Sequence, residues 1–146
     1  MVRVFTDGGF ATRQCFTSSP KINFVTSFLV EALTDAIIGE HQVNRCPPLR
    51  HYGNLAELVA VREAARWLRQ NIPAGETIEH VTDSMTIKGW MGRAILNKKA
   101  PSFATVYHED AWGEIQGIFS NYQVEVKQVP RDLNKAGWAL EERYNL

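Results

Sequence analysis

Three acidic residues of this chain stand in settings that suit oxygen ligation of a divalent cation. Asp7 follows the apolar run Val2-Arg3-Val4-Phe5-Thr6 and precedes Gly8-Gly9. Glu57 opens an amphipathic stretch, Asn54-Leu55-Ala56-Glu57-Leu58-Val59-Ala60-Val61. Asp83 closes a second short apolar segment, Ile78-Glu79-His80-Val81-Thr82-Asp83-Ser84. Mg²⁺ takes hard oxygen ligands and keeps several of its waters, so a few clustered carboxylates suffice to hold it. Two such ions ~3.5–4 Å apart activate a water, stabilise a leaving oxygen and neutralise phosphate charge during in-line hydrolysis. The expected chemistry is metal-assisted cleavage or binding of nucleic acid. Asp7, Glu57 and Asp83 are then both metal ligands and catalytic residues, with Mg²⁺ or alternatively Mn²⁺ as the ion.

Taken singly, each acid also has a structural reading. Asp7 before two glycines suits a turn that hydrogen-bonds its own backbone. Glu57 suits the positive end of a helix dipole, and Asp83-Ser84 suits a helix cap. Glu57, however, shares a helical face with Val61 and Leu68, which points it toward a sheet. An inward acid needs a partner, and a cation supplies one.

The elements that must position these residues follow from periodicity and punctuation. Residues 1–7 read as a strand ending at the Gly8-Gly9 turn, and 10–20 as a loop. Residues 22–32, rich in Phe, Val, Ile and Thr, predict a second strand. A turn at Thr34-Asp35 leads into a third over 36–43. Pro47-Pro48 keeps 44–53 irregular. Helical spacing then runs from Leu55 to about Asn71, stopped by Pro73 and Gly75. A strand over 76–82, a short helix over 84–95, a helix over 103–119, a strand over 124–129 and a helix over 133–144 complete the chain. In the helix over 103–119, Val106, Trp112, Ile115 and Phe119 fall on or near one face. Strands separated by helices pair in parallel through right-handed crossovers. That brings the C-terminal ends of the first, fourth and fifth strands to one edge, where ligands bind in such sheets.

Composition sets the class. The 146 residues suffice for one domain, 1–146, with a sizeable core. Hydrophobic residues are 45% and charged residues 22%, an ordinary soluble balance. No apolar run approaches bilayer length, and the N-terminus lacks the layout of a secretory signal, so the expectation is a soluble, cytoplasmic protein with no membrane partner. Cys15 and Cys46 form no metal-type pair and read as reduced thiols. The formal net charge of zero argues against a protein that coats nucleic acid non-specifically. Local basic clusters exist at Arg93, Lys98 and Lys99, and at Lys127, Arg131 and Lys135. His41, His51, His80 and His108 show no metal-ligand spacing; His80 on a strand reads as structural.

Four segments together resemble the ribonuclease H family: Phe5-Thr6-Asp7-Gly8-Gly9, Asn54-Leu55-Ala56-Glu57-Leu58-x-Ala60, Thr82-Asp83-Ser84 and Val129-Pro130-Arg131-x-x-Asn134. The resemblance spans nearly the whole chain and rests on the order and setting of these pieces. It implies an α/β ribonuclease H-like fold, a five-stranded mixed sheet in the order 3-2-1-4-5 flanked by helices. It implies hydrolysis of the RNA strand of an RNA–DNA hybrid by two Mg²⁺ ions, with Asp7 bridging them. It also places Gly8, Gly9, Asn54, Ser84, Arg131 and Asn134 at the substrate. Asn54 suits a 2′-hydroxyl, which both donates and accepts, or a helix N-cap; Arg131 suits a phosphate.

The chain departs from the family at the fourth carboxylate, normally in an Asn-x-x-Ala-Asp pattern. Aligned on Asn134, Gly137 and Trp138 stand where Ala and Asp are expected. Glu141 and Glu142, one helical turn on, are the possible substitutes, and Asp132 is another; all three also read as surface acids. Trp138 is expected to pack in the core, with base stacking as the sharper alternative. Met85 replaces the usual Gln after Asp-Ser, and no basic protrusion is visible. The leading expectation is a metal-dependent endoribonuclease acting on hybrids. The alternatives are a catalytically weakened module of the same fold that binds nucleic acid or a protein partner, or a nuclease of that fold acting on DNA. Oligomeric state is not readable.

Overall fold

The first three strands form where the sequence predicts them, the first and third running further toward their C-terminal ends than expected. The computed structural model describes residues 1–11, 23–32, 34, 36–45, 53–96, 98–100, 102–103 and 106–144. Cys15, Cys46, Pro47-Pro48, His51 and Pro101 lie outside them. Strand β1 (Val2–Ala11) pairs antiparallel with β2 (Asn23–Ala32), which pairs antiparallel with β3 (Ile37–Arg45). On its other side β1 pairs parallel with β4 (Thr77–Thr82), and β4 parallel with β5 (Gln123–Gln128). The five-stranded sheet has the order β3-β2-β1-β4-β5, as expected.

Gly8-Gly9 is not a turn. The strand continues through both glycines to Ala11, with Gly8 opposite Thr26 and Gly9 opposite Val25. The reason is a close approach to the helix that follows β3. A Cβ on Gly8 would lie 2.3 Å from the Ala56 carbonyl carbon and 2.5 Å from the Glu57 nitrogen. Only glycine permits that contact.

Helix α1 (Gly53–Asn71) starts two residues earlier than expected from periodicity. With α2 (Met85–Ile95) and α3 (Val106–Phe119) it covers one face of the sheet. Val4, Val30, Leu58, Val61, Leu68, Ile78, Ile87 and Ile115 meet there. Burying each aliphatic side chain of this size stabilises the fold by ~1.5–3 kcal/mol before chain entropy is charged against it. Val106, expected on the buried face of α3, is 59% exposed because it is the first residue of the helix. His108 and Ala111 are buried on α3 in its stead. His80 is structural: fully buried on β4, with Nε2 2.8 Å from Thr6 Oγ1.

The last helix differs most. Arg131–Leu133 form one 3₁₀ turn, and α4 (Lys135–Tyr144) begins only after Asn134. It covers the opposite face of the sheet, where Ala136 joins Phe5, Leu29 and Val81, and Leu140 meets Val25. Lys135 Nζ pairs with Glu31, a β2 carboxylate only 2% exposed, which ties the head of α4 to the sheet. Trp138 does not pack in the core. Ala136 and Leu140 take the inward face of α4, so the indole is 47% exposed and its Nε1 donates to the Asp132 carbonyl at 2.8 Å. No helix among the described residues is long and apolar enough to cross a membrane.

Candidate metal centre

Asp7 sits on the central strand, on the face opposite the main core, with its carboxylate directed under α4. Strand alternation produces this: Val4 and Thr6 face the main core, so Phe5 and Asp7 face the other way. Asp83 immediately follows the parallel neighbour β4, and Glu57 lies on α1 where Gly8 lets that helix touch β1. One carboxylate oxygen from each of Asp7, Glu57 and Asp83 lies within 4.8 Å of the other two. The three acids come from segments far apart in sequence, and the fold brings all of them together.

Crowding and burial raise their proton affinities. Asp7 is pushed from 3.8 up to about 7, first by burial and then by the charges of Asp83 and Glu57; the Gly8 amide and the Arg131 charge act against the rise. Glu57 is pushed from 4.5 up to about 7, again by burial foremost, opposed by a hydrogen bond from the Ser84 hydroxyl. Burial also raises Asp83, while a hydrogen bond from Asn134 and the Arg131 charge lower it. Clustered carboxylates held this way repel one another unless a cation lies among them. The donor set is hard oxygen only, which suits Mg²⁺ or Mn²⁺ and could hold either.

The supporting side chains divide by role. Ser84 caps α2, accepting from the Ile87 amide at 3.1 Å while its hydroxyl also serves Glu57. Asn134, expected at the substrate, is fully buried. Its Nδ2 donates to the Thr6 carbonyl at 3.0 Å and its Oδ1 accepts from the Ala136 amide at 3.2 Å. That side chain positions Asp83 and α4 and is out of a ligand's reach. The basic cluster Lys127, Arg131 and Lys135 is not one surface, because Lys135 is committed to Glu31.

An open cleft of about 530 Å³ lies over the three acids, lined among others by Gly8, Gly9, Pro130, Arg131, Gly137 and Glu141. Asn54 and Ser84 are half-buried and stand beside Glu57 and Asp83, outside that lining. Glu141 reaches the cleft, with Oε1 3.2 Å from Arg131 Nε, whereas Glu142 is exposed and does not line it. Arg93, Lys98 and Lys99 are exposed around the end of α2. The sequence marked Gly137 only as a departure from the family pattern and gave it no role. A Cβ there would sit 3.0 Å from Asp7 Oδ2. A glycine inside an otherwise amphipathic helix was the available signal.

No family model matches the chain, and no curated protein matches it in sequence. Solved structures do match. RNase H1 from the halophilic archaeon Halobacterium salinarum superposes with a TM-score of 0.67 at 16% identity, over 95% of this chain and 92% of that one. The N-terminal RNase H domain of a Mycobacterium tuberculosis protein, solved as a fusion with maltose-binding protein, gives 0.67 at 15% identity, over 95% and 94%. LC11-RNase H1, solved in complex with an RNA/DNA hybrid, gives 0.65 at 14% identity, over 99% and 97%. The chain therefore has the ribonuclease H-like fold.

Proposed function

We propose that this chain is a metal-dependent endonuclease that hydrolyses the RNA strand of RNA–DNA hybrids. The observation that carries the reading is the convergence of Asp7, Glu57 and Asp83 oxygens within 4.8 Å at the floor of an open cleft. The ribonuclease H-like fold supports it, as does the hybrid bound to LC11-RNase H1. Divalent ions, when bound, supply water activation and neutralise phosphate charge.

The chain's own residues hold and orient. Asp7, Glu57 and Asp83 offer the ligand oxygens. The Gly8 amide braces Asp7, Ser84 orients Glu57 and Asn134 orients Asp83. Arg131, on the rim of the cleft, meets a backbone phosphate. Asn54, in the first turn of α1, meets the 2′-hydroxyl that distinguishes RNA from DNA. Arg93, Lys98 and Lys99 add sequence-independent attraction to the partner strand.

The test is cleavage of a labelled RNA–DNA hybrid with Mg²⁺ or Mn²⁺, beside duplex RNA, duplex DNA and branched DNA. The reading requires cleavage of the RNA strand by the wild type and its loss in Asp7→Asn. One observation favours a second reading, a binding module of the same fold with weakened catalysis: Trp138 occupies the position where the resemblance puts an acid, and its indole is turned onto the Asp132 carbonyl. Hybrid binding without cleavage in either metal selects that second reading.

A further inference from the structure

We infer that Glu141 supplies the fourth carboxylate of this site and that Arg131 stores it there until a cation binds. The inference rests on the metal-site reading above and concerns one side chain's part in it.

Helix geometry favours Glu141 over both neighbours. An α-helix turns about 100° per residue, so Glu141 stands about 40° round from Gly137, and Trp138 about 100° round. Gly137 is the α4 residue against Asp7. Helical side chains also lean toward the N-terminus, so Glu141 leans back over the turn that holds Gly137. Gly137 has no side chain to obstruct it, and glutamate is one methylene longer than the aspartate it would replace. Both Gly137 and Glu141 line the cleft, and the Glu141 charge is near enough to Asp83 to repel it. Glu142, turned away and exposed, shares none of these relations.

Arg131 completes the device. Its side chain is 66% exposed and that of Glu141 44%, and they pair at 3.2 Å. An ion pair this open adds little to stability, so exchanging it costs little. With a cation held among Asp7, Glu57 and Asp83, Glu141 would turn inward and free the Arg131 guanidinium at the rim for a phosphate. Binding of metal and of a phosphodiester backbone thereby become mutually favourable, each to the same degree.

The experiment titrates Mn²⁺ into the wild type, Glu141→Gln, Glu142→Gln, Arg131→Gln and the Arg131→Gln/Glu141→Gln double variant, reading free Mn²⁺ by electron paramagnetic resonance. Melting temperatures without metal accompany each titration. Glu141→Gln is expected to lose at least about tenfold in affinity for one ion, with its metal-free melting temperature unchanged. Glu142→Gln is expected to titrate like the wild type. Arg131→Gln is expected to tighten Mn²⁺ binding, and to do so less when Glu141 is already Gln. Wild-type affinity in Glu141→Gln overturns the inference and leaves the metal-site reading standing. A wild type that takes up no Mn²⁺ overturns both.

Discussion

The Asn134 side chain reaches the Thr6 main chain: Nδ2 donates to the Thr6 carbonyl at 3.0 Å, one residue before Asp7. The same side chain accepts from the Ala136 amide at the head of α4 and serves Asp83. One buried amide thus ties together the central strand, the acid after β4 and the helix over the cleft.

Asn134→Ala leaves the Thr6 carbonyl without that donor in a site closed to water. A buried group left unsatisfied costs ~1–3 kcal/mol, and Asn134 satisfies more than one. A urea melt should therefore show a loss of about 2–4 kcal/mol. Hybrid cleavage should fall even at temperatures where the variant stays folded, because Asp83 loses its orienting bond.

Gly8→Ala should be more damaging than its size suggests. The added methyl would stand 2.3 Å from a main-chain carbon of α1, and backbone cannot step aside as a side-chain tip can. Overpacking of this kind costs ~1–3 kcal/mol or more. The same displacement carries Glu57 away from Asp7, so metal affinity and stability should fall together, in contrast to Glu141→Gln.

Stability of the metal-free protein should fall as pH rises. Asp7 and Glu57 ionise at 3.8 and 4.5 ordinarily and are both pushed to about 7 in the fold. The folded chain therefore binds protons more tightly than the unfolded chain. The stability this contributes is complete below about pH 4 and is lost as pH climbs through about 7. Denaturant melts in a chelator across that window should show the decline. Asp7→Asn should flatten it and raise stability at pH 8 by about 2 kcal/mol. Saturating Mg²⁺ should remove the decline from the wild type, because the ion replaces the protons.

Lys135→Met should destabilise through Glu31. That carboxylate is 2% exposed and Lys135 is its close partner, with Arg3 3.6 Å away. Removing one member of a buried pair typically costs ~3–5 kcal/mol; the remaining Arg3 should hold the loss to about 2 kcal/mol by equilibrium melts. Cleavage measured well below the melting temperature should be little changed.

Most elements were legible in the sequence because they rest on strong local signals, whereas the sheet order came with the family resemblance and the three acids stood out by their settings taken together. Alternation marks the strands, the helical period marks α1, and Asp83 sits where β4 ends. The features missed are tertiary. That β1 runs on through Gly8-Gly9 depends on how near α1 comes, which no window of β1 reveals. Asn134 matched the resemblance by position, yet its burial follows from α4 lying on the sheet. Trp138, apolar and central in its helix, was expected inside; Ala136 and Leu140 already fill that face. The choice between Glu141 and Glu142 needed the angular position of Gly137 against Asp7, which spacing alone leaves open.

Calorimetric titration of Mg²⁺ or Mn²⁺ into the wild type and into Asp7→Asn tests the shared-cation site most directly. The account predicts saturable binding by the wild type, with proton release near pH 7, and its loss in Asp7→Asn. Equal uptake by the two proteins, or none by the wild type, would contradict it.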